Sequence, residues 1–126
     1  MSQEKSLVAE LDQIQSDLLC SAFEGGSNYW CRIKKINAPP GAKMEYPHLE
    51  APFKGGEILV DAQGEHNNSA RLDKCWVLNK KALTSGWELM KNKYARHYAD
   101  AATGDADATT GDVYLQLCLF GEIIFG

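Results

Sequence analysis

The sequence lacks the residue spacings that mark most metal sites and nucleophilic enzymes. No cysteine pairs with another cysteine or with a histidine at metal-ligand spacing, because the four cysteines lie far apart. No serine lies in a G-x-S-x-G elbow. Gly25-Gly26 follows a helical pattern, whereas a dinucleotide-binding loop follows a strand. We therefore predict no bound metal and no cofactor, and we favour a binding protein over an enzyme.

The sequence also has little that would direct it to a membrane. Residues 1–5 lack the basic-then-apolar order of a secretion signal. The longest apolar stretch, residues 113–125, is too short to span a bilayer and is interrupted by Gln116 and Glu122. Cysteines in apolar surroundings, such as Cys118, are typical of free thiols in a reducing compartment. We expect a soluble, cytoplasmic protein that does not enter a membrane.

Basic residues are missing from the end of the chain. Residues 98–126 carry five Asp or Glu and no Lys or Arg, and residues 1–24 are also acidic. Residues 71–97 carry seven Lys or Arg against two Asp or Glu. The net charge of -4 argues against a protein that binds polyanions over its whole surface. Two interpretations stay open: acidic ends that complement the basic segment within a small fold, or a basic patch for a phosphate-bearing ligand.

Residues 4–23 show the clearest helical pattern. Apolar residues recur there at spacings of three and four, and the opposite side is polar. The apolar stripe comprises Leu7, Leu11, Ile14, Leu18 and Ala22. Such a stripe is typical of packing against a core. Its heptad-like spacing also allows a dimer seam, so we include a homo-oligomer among our expectations.

β-Branched and aromatic residues predict three strands, at residues 29–37, 57–61 and 71–78. Residues 38–56 contain all four prolines and show no periodicity, which predicts a binding loop or a packed Ω-loop. Residues 62–70 predict an exposed polar turn. If side chains alternate strictly along the first strand, one of its faces carries Trp30, Arg32, Lys34 and Ile36.

Two further helices are predicted after the strands. The first begins at the N-cap Asn79 and should end between residues 99 and 104. For residues 105–126, a helix that starts at Asp107 competes with a hairpin that turns at Gly121-Glu122. We favour the helix, because the hairpin leaves the aspartate start signal unused. The predicted fold is a single α+β domain with an N-terminal helix, a small antiparallel sheet of about three strands and two C-terminal helices.

The junction between the first helix and the first strand is the best candidate for a binding site. Gly25-Gly26 end the helix there and leave room for a ligand. Aromatic rings beside Arg32 and Lys34 suit a nucleotide-like ligand, since rings stack on bases and cations neutralise phosphate. We expect this turn to lie against the C-terminal segment, where Asp112 and Gln116, one helical turn apart, would complete the site. The candidate ligand-binding residues are Glu24, Gly25, Gly26, Asn28, Tyr29, Trp30, Arg32, Lys34, Asp112 and Gln116.

Three other interpretations of these residues stay open. In the first, Asp112 and Gln116 hydrogen-bond the backbone N–H groups of the glycine turn, because buried polar groups need partners. In the second, the Lys and Arg residues of the first strand form an ordinary solvated face. In the third, Asp112 and Glu24 are paired carboxylates that carry out acid–base hydrolysis.

Two segments, AFEGGSNYW at 22–30 and DATTGDVYLQLCLFGEIIFG at 107–126, resemble a family of short proteins encoded by bacteriophages and prophages. Residues 38–78 match nothing in that family. The resemblance implies a phage protein of the host-cell cytoplasm and assigns no catalytic residue. Because small phage proteins often antagonise host defence, it implies a protein that sequesters a small nucleotide-like signal. The alternative is an inhibitor that binds a host defence protein, such as a nuclease or CRISPR-type complex, through residues 38–56 and the acidic termini.

Overall fold

The chain has an α+β fold, as the sequence predicts. The computed structural model describes residues 2–62 and 75–126, with side chains from residue 10 onward. The described elements are, in chain order, α1 (Ser2–Ser21), a π-helical turn (Ala22–Gly26), β1 (Cys31–Asn37), α2 (Pro47–Glu50), a 3-10 turn (Ala51–Lys54), β2 (Glu57–Ala62), β3 (Cys75–Leu78), α3 (Lys80–Lys93), α4 (Ala95–Ala102) and α5 (Ala108–Phe120). The predicted strand 71–78 is described from Cys75 onward, and the predicted turn 62–70 lies outside the described residues except for Ala62.

The described strands form one antiparallel sheet in the order β1-β2-β3, so β1 lies at an edge. Cys31 pairs with Ala62 and Ile36 pairs with Ile58, and both partners on β2 are buried. Residues 31 and 36 lie on one face because a bulge between Ile33 and Lys35 adds a residue to β1. The strict alternation predicted for this strand is therefore wrong beyond the bulge.

Helix α5 forms the centre of the core. Its start is capped by Asp107, whose side chain accepts a hydrogen bond from Thr110 N at 2.9 Å. It ends at Gly121, which adopts a left-handed conformation with φ 73°. The predicted helix is confirmed, and the alternative hairpin at Gly121-Glu122 is wrong. Buried side chains cover most sides of α5, among them Tyr114, Leu115, Gln116, Leu117 and Cys118.

The helix predicted to run from Asn79 to residues 99–104 consists of two helices. Asn79 caps α3 as expected, accepting a hydrogen bond from Ala82 N at 2.9 Å. The helix breaks at Tyr94, where φ is -132° and ψ is 56°. The break lets α4 pack against α1 and α5 as well as α3. Gly86 permits close contact between α3 and α5, since a Cβ there would lie 2.4 Å from Cys118 Sγ.

Residues 38–56 pack against the domain, as expected of a packed Ω-loop. They contain α2 and the 3-10 turn, in which Ala51 and Pro52 are buried. The turn is closed by a hydrogen bond from Gly56 N to Ala51 O at 2.8 Å. The segment contacts both α1 and β1, so the core holds it in place.

Helix α1 uses its apolar stripe for packing within this chain. Leu18 and Ala22 are buried in the core, while Leu11 and Ile14 are half-buried against it. The side chain of Leu7 lies outside the described residues. The described part of the stripe therefore favours core packing over a dimer seam.

Candidate functional site

The glycine turn after α1 is closed by its own backbone. Ser27 N donates to Ala22 O at 2.8 Å, and Trp30 N and Cys31 N both donate to Ser27 O, at 3.1 Å and 2.9 Å. The turn therefore does not use Asp112 or Gln116 to satisfy its N–H groups. The interpretation that gave these two side chains that role is wrong.

Glycines on both sides let the turn dock directly on α5. A Cβ on Gly26 would lie 2.1 Å from Ala108 O, and a Cβ on Gly111 would lie 2.8 Å from Leu18 O. These distances are too short for any real Cβ, so the backbones touch where only glycine fits. The expectation that the turn lies against the C-terminal segment is confirmed.

Asp112 is the centre of the junction. Its carboxylate, 9% exposed, accepts three hydrogen bonds from residues more than 80 positions earlier in the chain. Ser27 Oγ and Trp30 Nε1 both donate to Oδ1 at 2.7 Å, and Tyr29 OH donates to Oδ2 at 2.8 Å. Three neutral donors thus stabilise a buried carboxylate, which ties the turn to α5.

Tyr29 links this buried cluster to the surface. Tyr29 is 56% exposed, although its hydroxyl donates a hydrogen bond to Asp112. Burial of the hydroxyl, together with the hydrogen bond to Asp112 and the negative charge of Asp112, raises the pKa of Tyr29 to about 12. The ring is therefore exposed but held at one end by a fixed hydrogen bond.

Trp30 and Gln116, both predicted to contact a ligand, are 1% exposed and paired within the protein. The Trp30 ring stacks on Phe125 with ring centroids 5.0 Å apart. Gln116 Oε1 accepts hydrogen bonds from Ile124 N and Phe125 N, both at 2.8 Å, and Nε2 donates to Phe125 O at 3.1 Å. Gln116 therefore fixes the C-terminal segment, and that segment covers Trp30.

Glu24 faces a different part of the molecule from Asp112. It accepts a hydrogen bond from Cys20 Sγ at 3.0 Å and lies 3.3 Å from His48 Nε2. The hydrogen bond from Cys20 is the main cause of its lowered pKa, and His48 adds to the effect. Cys20 and His48 were not among the predicted site residues, although the four-residue spacing of Cys20 and Glu24 on a helical turn was a usable signal. Glu24 and Asp112 do not share hydrogen-bond partners, so the paired-carboxylate hypothesis gains no support.

Three further predicted residues, Tyr29, Arg32 and Lys34, lie on an exposed strip formed by the end of the turn and the first half of β1. We call this strip the β1 surface. It also includes Ile33 and Lys35, which were not among the candidate site residues, and all five residues are exposed. Asn28 lies at its start and is also exposed. Asp61 on β2 lies opposite Arg32. Among the described residues, the side chains of Arg32, Lys34 and Lys35 have no hydrogen-bond or ion-pair partner.

The two cavities described lie away from the β1 surface. One cavity of 370 Å³ lies between α1 and α4, and another of 270 Å³ lies between α1 and the segment of α2. Neither cavity is lined by a residue of the β1 surface. Within residues 2–62 and 75–126, no group of three or more His, Cys, Asp or Glu residues is arranged to hold a metal ion. None of the helices described is both long and apolar enough to cross a bilayer.

Comparison of the chain with protein-family models, with curated proteins and with solved structures gave no match.

Proposed function

We propose that the protein is a non-enzymatic binding protein whose β1 surface engages a nucleotide-like, phosphate-bearing ligand. One observation carries the proposal: an exposed aromatic ring, held by its hydroxyl, precedes by three to six residues three exposed cations that have no partner among the described residues. Such rings stack on bases, and Lys and Arg donate to phosphate oxygens.

The buried residues of the predicted site support this surface from below. Asp112 holds the Tyr29 hydroxyl, and Gln116 holds the segment that covers Trp30. A ring that is already fixed loses less conformational entropy when a base stacks on it, which favours binding. In this proposal Asp112, Trp30 and Gln116 position the surface, and the β1 surface makes the contacts.

The biological role that we propose follows from the resemblance to phage proteins. The protein would act in the host-cell cytoplasm as an antagonist of defence that sequesters a nucleotide-like signal. A homo-oligomer is also part of the proposal, since two copies would present two β1 surfaces and raise the avidity for the ligand.

The second candidate function is inhibition of a host defence protein through residues 38–56. Tyr46 favours it, because this aromatic residue is 54% exposed on a segment whose Ala51 and Pro52 are anchored in the core. Exposed aromatic residues are enriched in protein interfaces. Under this hypothesis a host protein co-purifies with the chain, Tyr46→Ser abolishes the association, and Arg32→Ala leaves it intact.

A thermal-shift panel tests the first candidate. The panel contains mononucleotides, cyclic nucleotides and short single-stranded oligonucleotides. A ligand at about 100 times its Kd adds about 2.7 kcal/mol of stability, so at least one member should raise the Tm by several degrees. Arg32→Ala should reduce the shift, and Lys81→Ala, which removes an exposed charge from α3, should leave it unchanged. A panel in which no compound raises the Tm would contradict the proposal.

A further inference from the structure

We infer that the ligand is a short single-stranded oligonucleotide of about four nucleotides, laid along β1 with one base stacked on Tyr29. The inference rests on the proposed function and adds the size and class of the ligand. It follows from the row of cations along β1, the position of the described cavities and the limited extent of the positive charge.

The bulge in β1 determines how many cations reach solvent. In a regular strand every second side chain faces the same way, so two of the residues 32–35 would point to each face. With the extra residue between Ile33 and Lys35, all four residues from Arg32 to Lys35 are exposed. The bulge thus presents three cations within four consecutive residues.

These cations follow one another along the first half of β1. Arg32 lies opposite Asp61 and Lys35 lies opposite Leu59, two residues further along β2, so the two cations are about 7 Å apart along the sheet. Tyr29 precedes them in the turn before β1. Three cations match about three backbone phosphates, and three phosphodiester groups join four nucleotides.

The position of the described cavities also favours an extended ligand over a small one. Sites for small molecules are concave and bury most of the ligand surface, whereas both described cavities lie away from β1. Proteins that bind single strands instead combine a basic track with exposed rings on which bases stack. The β1 surface has both features within seven consecutive residues.

An added β-strand from a protein partner fits this edge less well. A bulge and a row of charged side chains are the features by which edge strands avoid pairing with other strands. The same features leave side chains free to contact a nucleic acid backbone.

The charge around the surface limits the length of the ligand. The whole chain carries a net charge of -4, and β1 has no Lys or Arg other than Arg32, Lys34 and Lys35. A strand that extends beyond these three cations therefore gains no further cationic contact on β1. Affinity should therefore rise up to about four nucleotides and then level off.

Fluorescence anisotropy with labelled single strands of increasing length tests the inference. We expect little binding of mononucleotides, a steep gain up to about four nucleotides and a plateau beyond that length. The slope of log K against log salt concentration should be about -2, since three phosphates each contribute about -0.7. A labelled duplex of the same length should bind more weakly than the single strand.

Two triple variants provide a charge-matched comparison. Arg32→Ala/Lys34→Ala/Lys35→Ala and Lys91→Ala/Lys93→Ala/Arg96→Ala each remove two lysines and one arginine from exposed positions. The first should abolish the salt dependence and most of the affinity, and the second should change the affinity less than about threefold. Tyr29→Leu should lower the affinity by roughly 5- to 150-fold through loss of stacking. Tyr29→Phe keeps the ring and should bind more tightly than Tyr29→Leu.

The outcomes separate the inference from the proposed function. If mononucleotides bind as tightly as tetranucleotides and Arg32→Ala weakens both, the function stands and the inference of an oligonucleotide is overturned. If no nucleotide of any length binds at low salt, the proposed function and the inference are both contradicted. Equal losses in the two triple variants would show binding that depends on total charge alone, which would overturn the assignment to β1.

Discussion

Replacing Asp112 with alanine is expected to lower the free energy of unfolding by about 3 to 5 kcal/mol, a large part of the stability of a domain this size. The change removes the acceptor of three hydrogen bonds. Two of the donors, on Ser27 and Trp30, are buried and would find neither a new partner nor water. An orphaned buried donor costs about 1 to 3 kcal/mol, which accounts for most of the expected loss.

Asp112→Asn is the matched control, because it keeps the shape of the side chain and one acceptor oxygen. It should lower the free energy of unfolding by only about 1 to 2 kcal/mol, through loss of the charge-assisted component of these bonds. Urea denaturation followed by tryptophan fluorescence measures both variants. If Asp112→Ala unfolds within about 1 kcal/mol of the parent, the three hydrogen bonds do not exist in solution as described.

Gly26→Ala is expected to destabilise the protein by about 3 kcal/mol, the upper end of the range for overpacked sites. The new methyl group would lie 2.1 Å from Ala108 O, so the turn would have to move away from α5. The backbone carbonyl sits in the first turn of α5 and cannot rotate away as a side chain would. The separation would also stretch the hydrogen bonds that Asp112 accepts.

The neighbouring glycine provides the control for this prediction. A Cβ on Gly25 would have no heavy atom within 4 Å, and Gly25 does not adopt a positive φ. Gly25→Ala should therefore change the stability by less than about 1 kcal/mol, in the stabilising direction, since alanine restricts the unfolded chain more than glycine does. Equal effects of the two substitutions in thermal or urea unfolding would contradict the contact between Gly26 and α5.

Elements with a local start or stop signal could be predicted from the sequence. Asn79 and Asp107 cap their helices as expected, because each side chain bonds an N–H three residues later. The capping signal also decided correctly between helix and hairpin for α5. The break at Tyr94 was missed because no glycine or proline marks it, and it depends on how α4 packs against α1 and α5.

The sequence predicted which residues meet at the candidate site, but not which of them are buried and which are exposed. The sequence placed Tyr29, Trp30 and Asp112 together correctly, because the glycine turn and the C-terminal segment were expected to meet. It could not show that Trp30 turns into the core while Tyr29 stays exposed, since two adjacent aromatic residues carry no signal for which one is buried. The bulge that exposes Arg32 to Lys35 depends on pairing with β2 and has no local signature.

The structure therefore divides the predicted site into two parts with different roles. Asp112, Trp30 and Gln116 form an internal support whose polar atoms are paired within the protein. Tyr29 and the cations of β1 form the exposed part. Substitutions in the support are expected to act mainly on stability, and substitutions of Arg32, Lys34 and Lys35 mainly on binding.

A double-mutant cycle between Ser27 and Asp112 tests most directly whether the helix-to-strand junction is bound to α5 through this carboxylate. The two residues are 85 positions apart and are joined by a 2.7 Å hydrogen bond. Ser27→Ala, Asp112→Ala and the double variant, each unfolded in urea, should give a coupling energy of about 1 to 2 kcal/mol. Additive losses, with a coupling energy below about 0.3 kcal/mol, would contradict the account.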